Sequence, residues 1–204
     1  MFYFIKTPQL LKKIYRSCIW DIPSDEKKIY LTFDDGPHPV ATAFVLEELK
    51  KYNARATFFC IGKNVKAYPE IYKKILLEGH SVGNHTHDHL NGWKTDDRKY
   101  FSNIDDAKKY IDSDLFRPPY GRINSLQIAC LKKKFKIIMW DVLSGDFDKK
   151  ISAEQCALNV IRNATKGSIV VFHDSEKAFG KMNFALSKTL EFFNEKGFCF
   201  EVIK

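Results

Sequence analysis

An α/β fold built on parallel strands is predicted by three features of the sequence. Short β-rich runs alternate with longer segments of helical period, the alternation continues from residue 27 to the end, and the unusual polar residues fall where the β-rich runs stop. The 204 residues are 45% hydrophobic with only seven prolines, which is enough for one folded domain and too apolar for long disorder.

In chain order, strands are predicted over 29–33, 56–61, 80–83, 115–117, 135–140, 168–172 and 198–203. Helices are predicted over 41–52, 69–78, 96–111, 125–134, 153–163 and 184–196. Ser152 with Gln155 three residues on reads as a helix start, and Gly79 and Gly197 read as helix stops. The 168–172 run is apolar on both faces, the pattern of a buried strand. Residues 1–24 differ from the rest: Phe2, Phe4, Ile5, Leu10, Leu11, Ile14, Tyr15, Ile19 and Trp20 are interleaved with basic residues. This arm reads either as an amphipathic element on a membrane surface or as a segment packed over one end of the 25–204 domain.

Subtracting 25 Asp plus Glu from 33 Lys plus Arg gives a formal charge of +8. The lysines are spread in pairs along what read as exposed helix faces, a solvated surface rather than a nucleic-acid footprint. Five scattered cysteines without a C-x-x-C pair read as free thiols. No apolar run approaches the roughly 18 to 20 residues of a membrane span, and the N-terminus lacks a secretory pattern, so the default expectation is a cytoplasmic chain. Oligomeric state is not legible.

Candidate chemistry collects at strand ends, the edge where parallel α/β folds build their sites. Asp34 and Asp35 follow the first strand; in isolation Asp35-Gly36-Pro37 is a turn, but adjacent carboxylates leaving a strand point apart, so one can bind a metal while the other handles a proton. Three histidines within His85 to His89 suit a metal of the zinc type, with His85 and His89 facing one point if the segment makes a helical turn and His87 facing away. A carboxylate with two imidazoles accepts Zn2+, Co2+, Ni2+, Mn2+ or Fe2+. Arg117 is placed to brace an aspartate bidentately, and the stiff Pro118-Pro119 bend to aim the Tyr120 amide into the site. His173 is either a satisfied core histidine or a proton donor tuned by a carboxylate such as Asp146, while His38 and His80 read as structural.

Five segments in order, Thr32 to Pro37, His85-Thr86-x-x-His89, Arg117 to Gly121, Trp140 through Asp146 and Val171 to Asp174, resemble the motifs of the metal-dependent polysaccharide deacetylases, carbohydrate esterase family four. The resemblance covers about residues 27 to 204 and implies a distorted (β/α)7 barrel. It implies a hydrolase that removes N-acetyl groups from N-acetylglucosamine-type sugars of a glycan and releases acetate. By the same resemblance Asp34 is the catalytic base and Asp35, His85 and His89 hold one divalent ion, Zn2+ first among the candidates. Arg117 orients the base, the Tyr120 amide receives the oxyanion, His173 is the acid supported by Asp146, and Trp140, Val171 and Phe147 line the substrate groove. Leu143 and Phe147 depart from the pattern, standing where aspartate and tryptophan are expected, and put substrate range in question more than chemistry.

Three other functions compete. Gly79-x-Ser81-x-Gly83 matches a serine-hydrolase elbow, but the helix precedes the serine and the strand follows, the reverse of what an elbow needs. A de-N-acylase of a lipid-linked sugar at the inner membrane leaflet would use the arm. A non-catalytic glycan-binding module would fit the changes at Leu143 and Phe147.

Overall fold

The computed structural model describes residues 3–204; Phe2, read above as part of the arm's apolar set, lies outside them. In chain order the elements are α1 (Gln9–Ile14), β1 (Lys28–Asp34), α2 (Ala41–Lys51), β2 (Ala56–Cys60), α3 (Gly62–Ala67), α4 (Pro69–Leu77), β3 (Ser81–Asn84), α5 (Asp97–Lys108) and β4 (Leu115–Phe116). A 3-10 turn at Pro119–Gly121 leads to α6 (Ser125–Leu131), β5 (Lys136–Ile137), β6 (Val142–Leu143), α7 (Ala153–Asn163), β7 (Ile169–His173), α8 (Glu176–Glu195) and β8 (Cys199–Phe200). Seven strands run in the order β5-β4-β3-β2-β1-β7-β6, every pair parallel, and curl into a distorted (β/α)7 barrel.

The count of seven matches the sequence reading, but its membership does not. The predicted 135–140 strand stops at Ile137 because the carbonyls of Ile138 and Met139 are taken by the Arg117 side chain, and the chain re-enters the sheet as the unpredicted β6. The predicted 198–203 strand is reduced to β8, which pairs with Lys28 and Ile29 at the start of β1, off the main strand order. Helix α8 begins at Glu176, eight residues before the predicted start, and α1 and α3 were not predicted.

β1 and β7 are buried almost throughout, which is why their apolar runs show no alternation. Phe33 stacks between Phe58 and Phe172, with ring centroids 5.1 and 6.0 Å away, at the centre of the main core. Helices α2, α7 and α8 bury their apolar faces against it. Ser152 caps α7 by accepting from the Gln155 amide, and Asn124 with Gln127 forms a complete capping box on α6.

The arm closes the gap between β5 and β6. Ile19 bridges Ile138 in parallel, Lys6 bridges Val142 and Asp21 bridges Ser168, both antiparallel. A buried ionic knot fastens it: Asp141 accepts from Lys6 at 2.5 Å, Lys12 at 2.6 Å and Ser168 at 2.6 Å. Cys18 and Trp20 are buried, while Leu10 and Ile14 stay exposed. No helix among the described residues is long and apolar enough to cross a membrane.

Candidate active site

The register of the sheet fixes which residues meet. Asp34 and His173 are Cα partners at the ends of β1 and β7, and Asn84 and Phe116 are partners at the ends of β3 and β4, so His85 and Arg117 emerge side by side. The sequence-predicted residues therefore share one rim and line one cavity of roughly 760 Å3, with Asp34, Asp35, His85, His89, Tyr120, Trp140, Phe147, Val171 and His173 on its walls. Arg117 and Asp146 lie behind that lining, fully buried.

One flank is a three-donor cluster. Asp35 Oδ1 stands 3.1 Å from His89 Nε2 and 3.7 Å from His85 Nε2, and the three donor atoms lie within 4.8 Å of one another. His85 Nδ1 donates to the Arg117 carbonyl at 2.8 Å, which fixes the tautomer and turns the Nε2 lone pair towards Asp35. Burial lowers the His85 imidazole to about 4, so it is neutral and able to act as a ligand near neutral pH. Burial works to raise the Asp35 carboxyl, but His89, His173 and His85 together outweigh it and hold the group below the ordinary carboxylate range. Asp35 Oδ1 is nevertheless buried without a hydrogen-bond partner. A buried acceptor left open between two imidazole nitrogens fits a divalent cation.

The two histidines converge without the expected helical turn. Thr86 and His89 have φ of 62° and 58°, and with Asp35 at 82° and Tyr120 at 61° they make four of the five non-glycine residues with positive φ among the described residues. The strain is held by polar side chains that sequence reasoning missed. The Asn84 amide oxygen accepts from the Thr86 amide, Asn103 Oδ1 accepts from the His87 and Asp88 amides, and Thr86 Oγ1 accepts from the Leu90 amide. His87 faces away and lies against Tyr110, 5.7 Å between centroids.

The other flank consists of closed pairs. Arg117 Nη1 donates to Asp34 Oδ1 and to Thr32 Oγ1, each at 2.7 Å, while Nε and Nη2 hold the Ile138 and Met139 carbonyls. The expected bidentate brace is thus a single contact, because the guanidinium's other donors serve the interrupted strand. The guanidinium also lies 4.1 Å over the Phe59 ring. Asp146 grips His173 twice, accepting from its amide and pairing with Nδ1, both at 2.7 Å. Burial opposes charge on His173, but the Asp146 carboxylate prevails and raises the imidazole to about 10, so it is a cation near neutral pH. Phe147 covers this ring edge-on at 5.2 Å and is itself backed by Tyr3.

Asp174, the last residue of the fifth motif, is a support that the sequence does not reveal. Its Oδ1 accepts from the Gly36 amide at 3.0 Å and its Oδ2 from Thr42 at 2.5 Å, tying down the loop that carries Asp35. A Cβ on Gly36 would stand 2.1 Å from the Asp174 carboxylate, so any larger residue there would displace that carboxylate. The Tyr120 ring lies 4.6 Å from His89. The amides of Gly121 and Arg122 turn back onto the Pro118 and Pro119 carbonyls, and the Tyr120 amide is outside that pattern. His80 accepts from the Ala56 amide and His38 from those of Val40 and Ala41, both as scaffolding. Ser81 opens β3 after α4, so the reversed elbow context stands.

Comparison with known proteins points one way. Residues 21–134 match the model of the polysaccharide deacetylase family. A peptidoglycan-N-acetylglucosamine deacetylase of Bacillus cereus is 36% identical over 191 residues, covering 90% of each chain. A chitooligosaccharide deacetylase of Azorhizobium caulinodans is 36% identical over 162 residues, 75% of this chain and 76% of the relative. The crystal structure of a peptidoglycan N-acetylglucosamine deacetylase bound to a naphthyl hydroxamate superposes with a TM-score of 0.87 at 31% identity, covering 97% of this chain and 95% of the other. Some relatives are larger: the chain spans 38% of a peptidoglycan deacetylase from Listeria monocytogenes.

Proposed function

Because this chain belongs to the polysaccharide deacetylase family, carbohydrate esterase family four, we propose that it hydrolyses the N-acetyl groups of N-acetylglucosamine-type sugars in a glycan, releasing acetate and a free amine. The observation that carries the reading is the open Asp35 acceptor between two imidazoles, set beside a braced carboxylate and a braced cationic imidazole.

Asp35, His85 and His89 would hold the ion, with Zn2+ favoured by the mixed carboxylate and imidazole donors. When bound, such an ion polarises an amide carbonyl and acidifies water. Asp34, held in place by Arg117, accepts the proton of the attacking water. The Tyr120 amide donates to the oxygen on which negative charge develops. His173, kept protonated by Asp146, delivers a proton to the departing sugar nitrogen. Val171, Leu143 and Trp140 give the cavity an apolar lining suited to the acetyl methyl. With leucine at position 143, Asp146 is the carboxylate that contacts His173, and it does so through two bonds.

The test is acetate release from N-acetylglucosamine oligomers by protein stripped with EDTA and reconstituted with defined metals. Turnover that disappears on stripping and returns with Zn2+ or Co2+ is expected. A folded, reconstituted protein that releases no acetate from any such glycan overturns the reading.

A further inference from the structure

Next to the three-donor cluster, an exposed indole and an unpaired guanidinium have no part in the chemistry above. Trp93 is 56% exposed, yet its Nε1 donates to the Ile123 carbonyl at 2.9 Å, so the ring is held in one orientation. Arg122 lies over the ring, with Cζ 4.3 Å from its centroid, and more than half of the residue's surface stays exposed to the solvent. No ion pair is recorded for Arg122 among the described residues. The loops carrying the two residues are locked together: Gln127 Nε2 donates to the Gly92 carbonyl at 2.9 Å, and a Cβ on Gly92 would meet the Arg122 carbonyl at 2.4 Å.

Both residues line the cavity that contains Asp35 and His89. Trp93 follows His89 by four residues and Arg122 follows Tyr120 by two, and the His89 and Tyr120 rings are 4.6 Å apart. From this geometry we infer that Trp93 and Arg122 form a subsite for a neighbouring sugar unit that carries a carboxylate. The inference deepens the deacetylase reading and rests on it for the identity of the glycan.

The chemistry follows from the two side chains. A fixed indole offers a flat apolar face to the C–H face of a pyranose ring at little entropic cost. A guanidinium stacked on that indole keeps its in-plane N–H donors free, the arrangement that grips a carboxylate bidentately. Away from the reacting centre the cavity's charged lining is Lys63, Arg122 and Lys177 against Glu176, a net positive lining that favours an anion.

The experiment compares kcat/KM for wild type, Arg122→Gln and Trp93→Leu on three glycans. These are a neutral N-acetylglucosamine oligomer, a peptide-free glycan that also contains muramic acid, and the same glycan with its peptides. Arg122→Gln is expected to cost about tenfold on the peptide-free muramic acid glycan, chiefly in KM, and less than about twofold on the neutral one. Trp93→Leu is expected to weaken all three. The lactyl carboxylate is free in the peptide-free glycan and amide-bonded in the peptide-bearing one, so a loss on the peptide-free glycan assigns the recognised carboxylate to the sugar. A loss confined to the peptide-bearing glycan places it on the peptide and overturns the sugar assignment. Equal losses on neutral and acidic glycans, or none, overturn the subsite, and unchanged melting of the variants excludes misfolding as the cause. Binding of the same glycans to EDTA-stripped protein scores the subsite without turnover. A chain that releases no acetate, yet binds acidic glycan tenfold more weakly after Arg122→Gln, loses the deacetylase reading and keeps the subsite.

Discussion

The two flanks of the cavity are finished to different degrees. On one, Asp35, His85 and His89 converge in strained backbone and leave a buried oxygen without a partner. On the other, Arg117 with Asp34 and Asp146 with His173 are closed pairs whose donors and acceptors are matched within the protein. The first flank needs something from outside to satisfy it, whereas the second is preorganised by the fold alone. A cation-binding half and a proton-handling half should therefore fail in separable ways.

The largest effect belongs to the open flank. His85→Ala is expected to abolish zinc retention and reduce turnover to background, because two donors remain and the imidazole held by the Arg117 carbonyl is gone. Asp34→Asn is expected to cost about 10²- to 10⁴-fold in kcat while the ion stays bound. Metal content by atomic emission beside acetate release separates the two. Loss of zinc from the Asp34→Asn protein would show that the flanks are one unit and break the comparison.

How well the sequence shows each flank follows from what holds it. The residues at the strand ends were legible because polar side chains at the close of apolar runs are conspicuous: Asp34 ending β1 with Asp35 after it, His85 after β3, His173 ending β7. Their supports were not. Asn84, Asn103, Thr32 and Thr42 are ordinary residue types whose role arises only when distant segments meet, as Asn103 of α5 meets the His87 amide. The helical turn expected at His85 to His89 fails for the same reason, since side chains from elsewhere sustain a backbone that local propensity disfavours. The strand pattern divides likewise. β1 and β7 are buried on both faces and long enough to read, whereas β5, β6 and β8 are two-residue strands defined by pairing partners rather than composition. Asn84 illustrates the limit: its side chain is fully buried and donates to the Ile104 carbonyl, a fact that no local pattern announces.

The closed flank should also fail through stability, the next effect in size. Arg117 is fully buried and joins Asp34, Thr32 and the Ile138 and Met139 carbonyls, so it links β1, β4 and the break after β5. Arg117→Met is expected to cost about 3 to 5 kcal/mol, because it strands a buried carboxylate and two carbonyls. At about 2 to 4 °C per kcal/mol for a chain of this size, the melting temperature should fall by roughly 6 to 20 °C. His85→Ala, measured without metal, should shift it far less. Equal shifts would mean that the metal flank also carries fold stability, against the comparison.

The smallest effect is a displacement in pH. Asp146 raises His173 to about 10, so the imidazole is charged below that value and neutral above it. Activity that needs the protonated form is present on the acid side and lost as pH rises through the folded value. Asp146→Asn removes the opposing charge 2.7 Å away but keeps an oxygen to accept from the His173 amide. Burial then acts with less opposition and lowers the imidazole, so the alkaline limb of kcat/KM should move towards acid by about one to three pH units. The acid limb should stay, since it reports groups on the other pairs, and metal content should not change. A movement of the acid limb, or a uniform loss at every pH, would place Asp146 in support of the fold alone and leave the protonation of His173 to the Asp34 and Asp35 charges across the cavity.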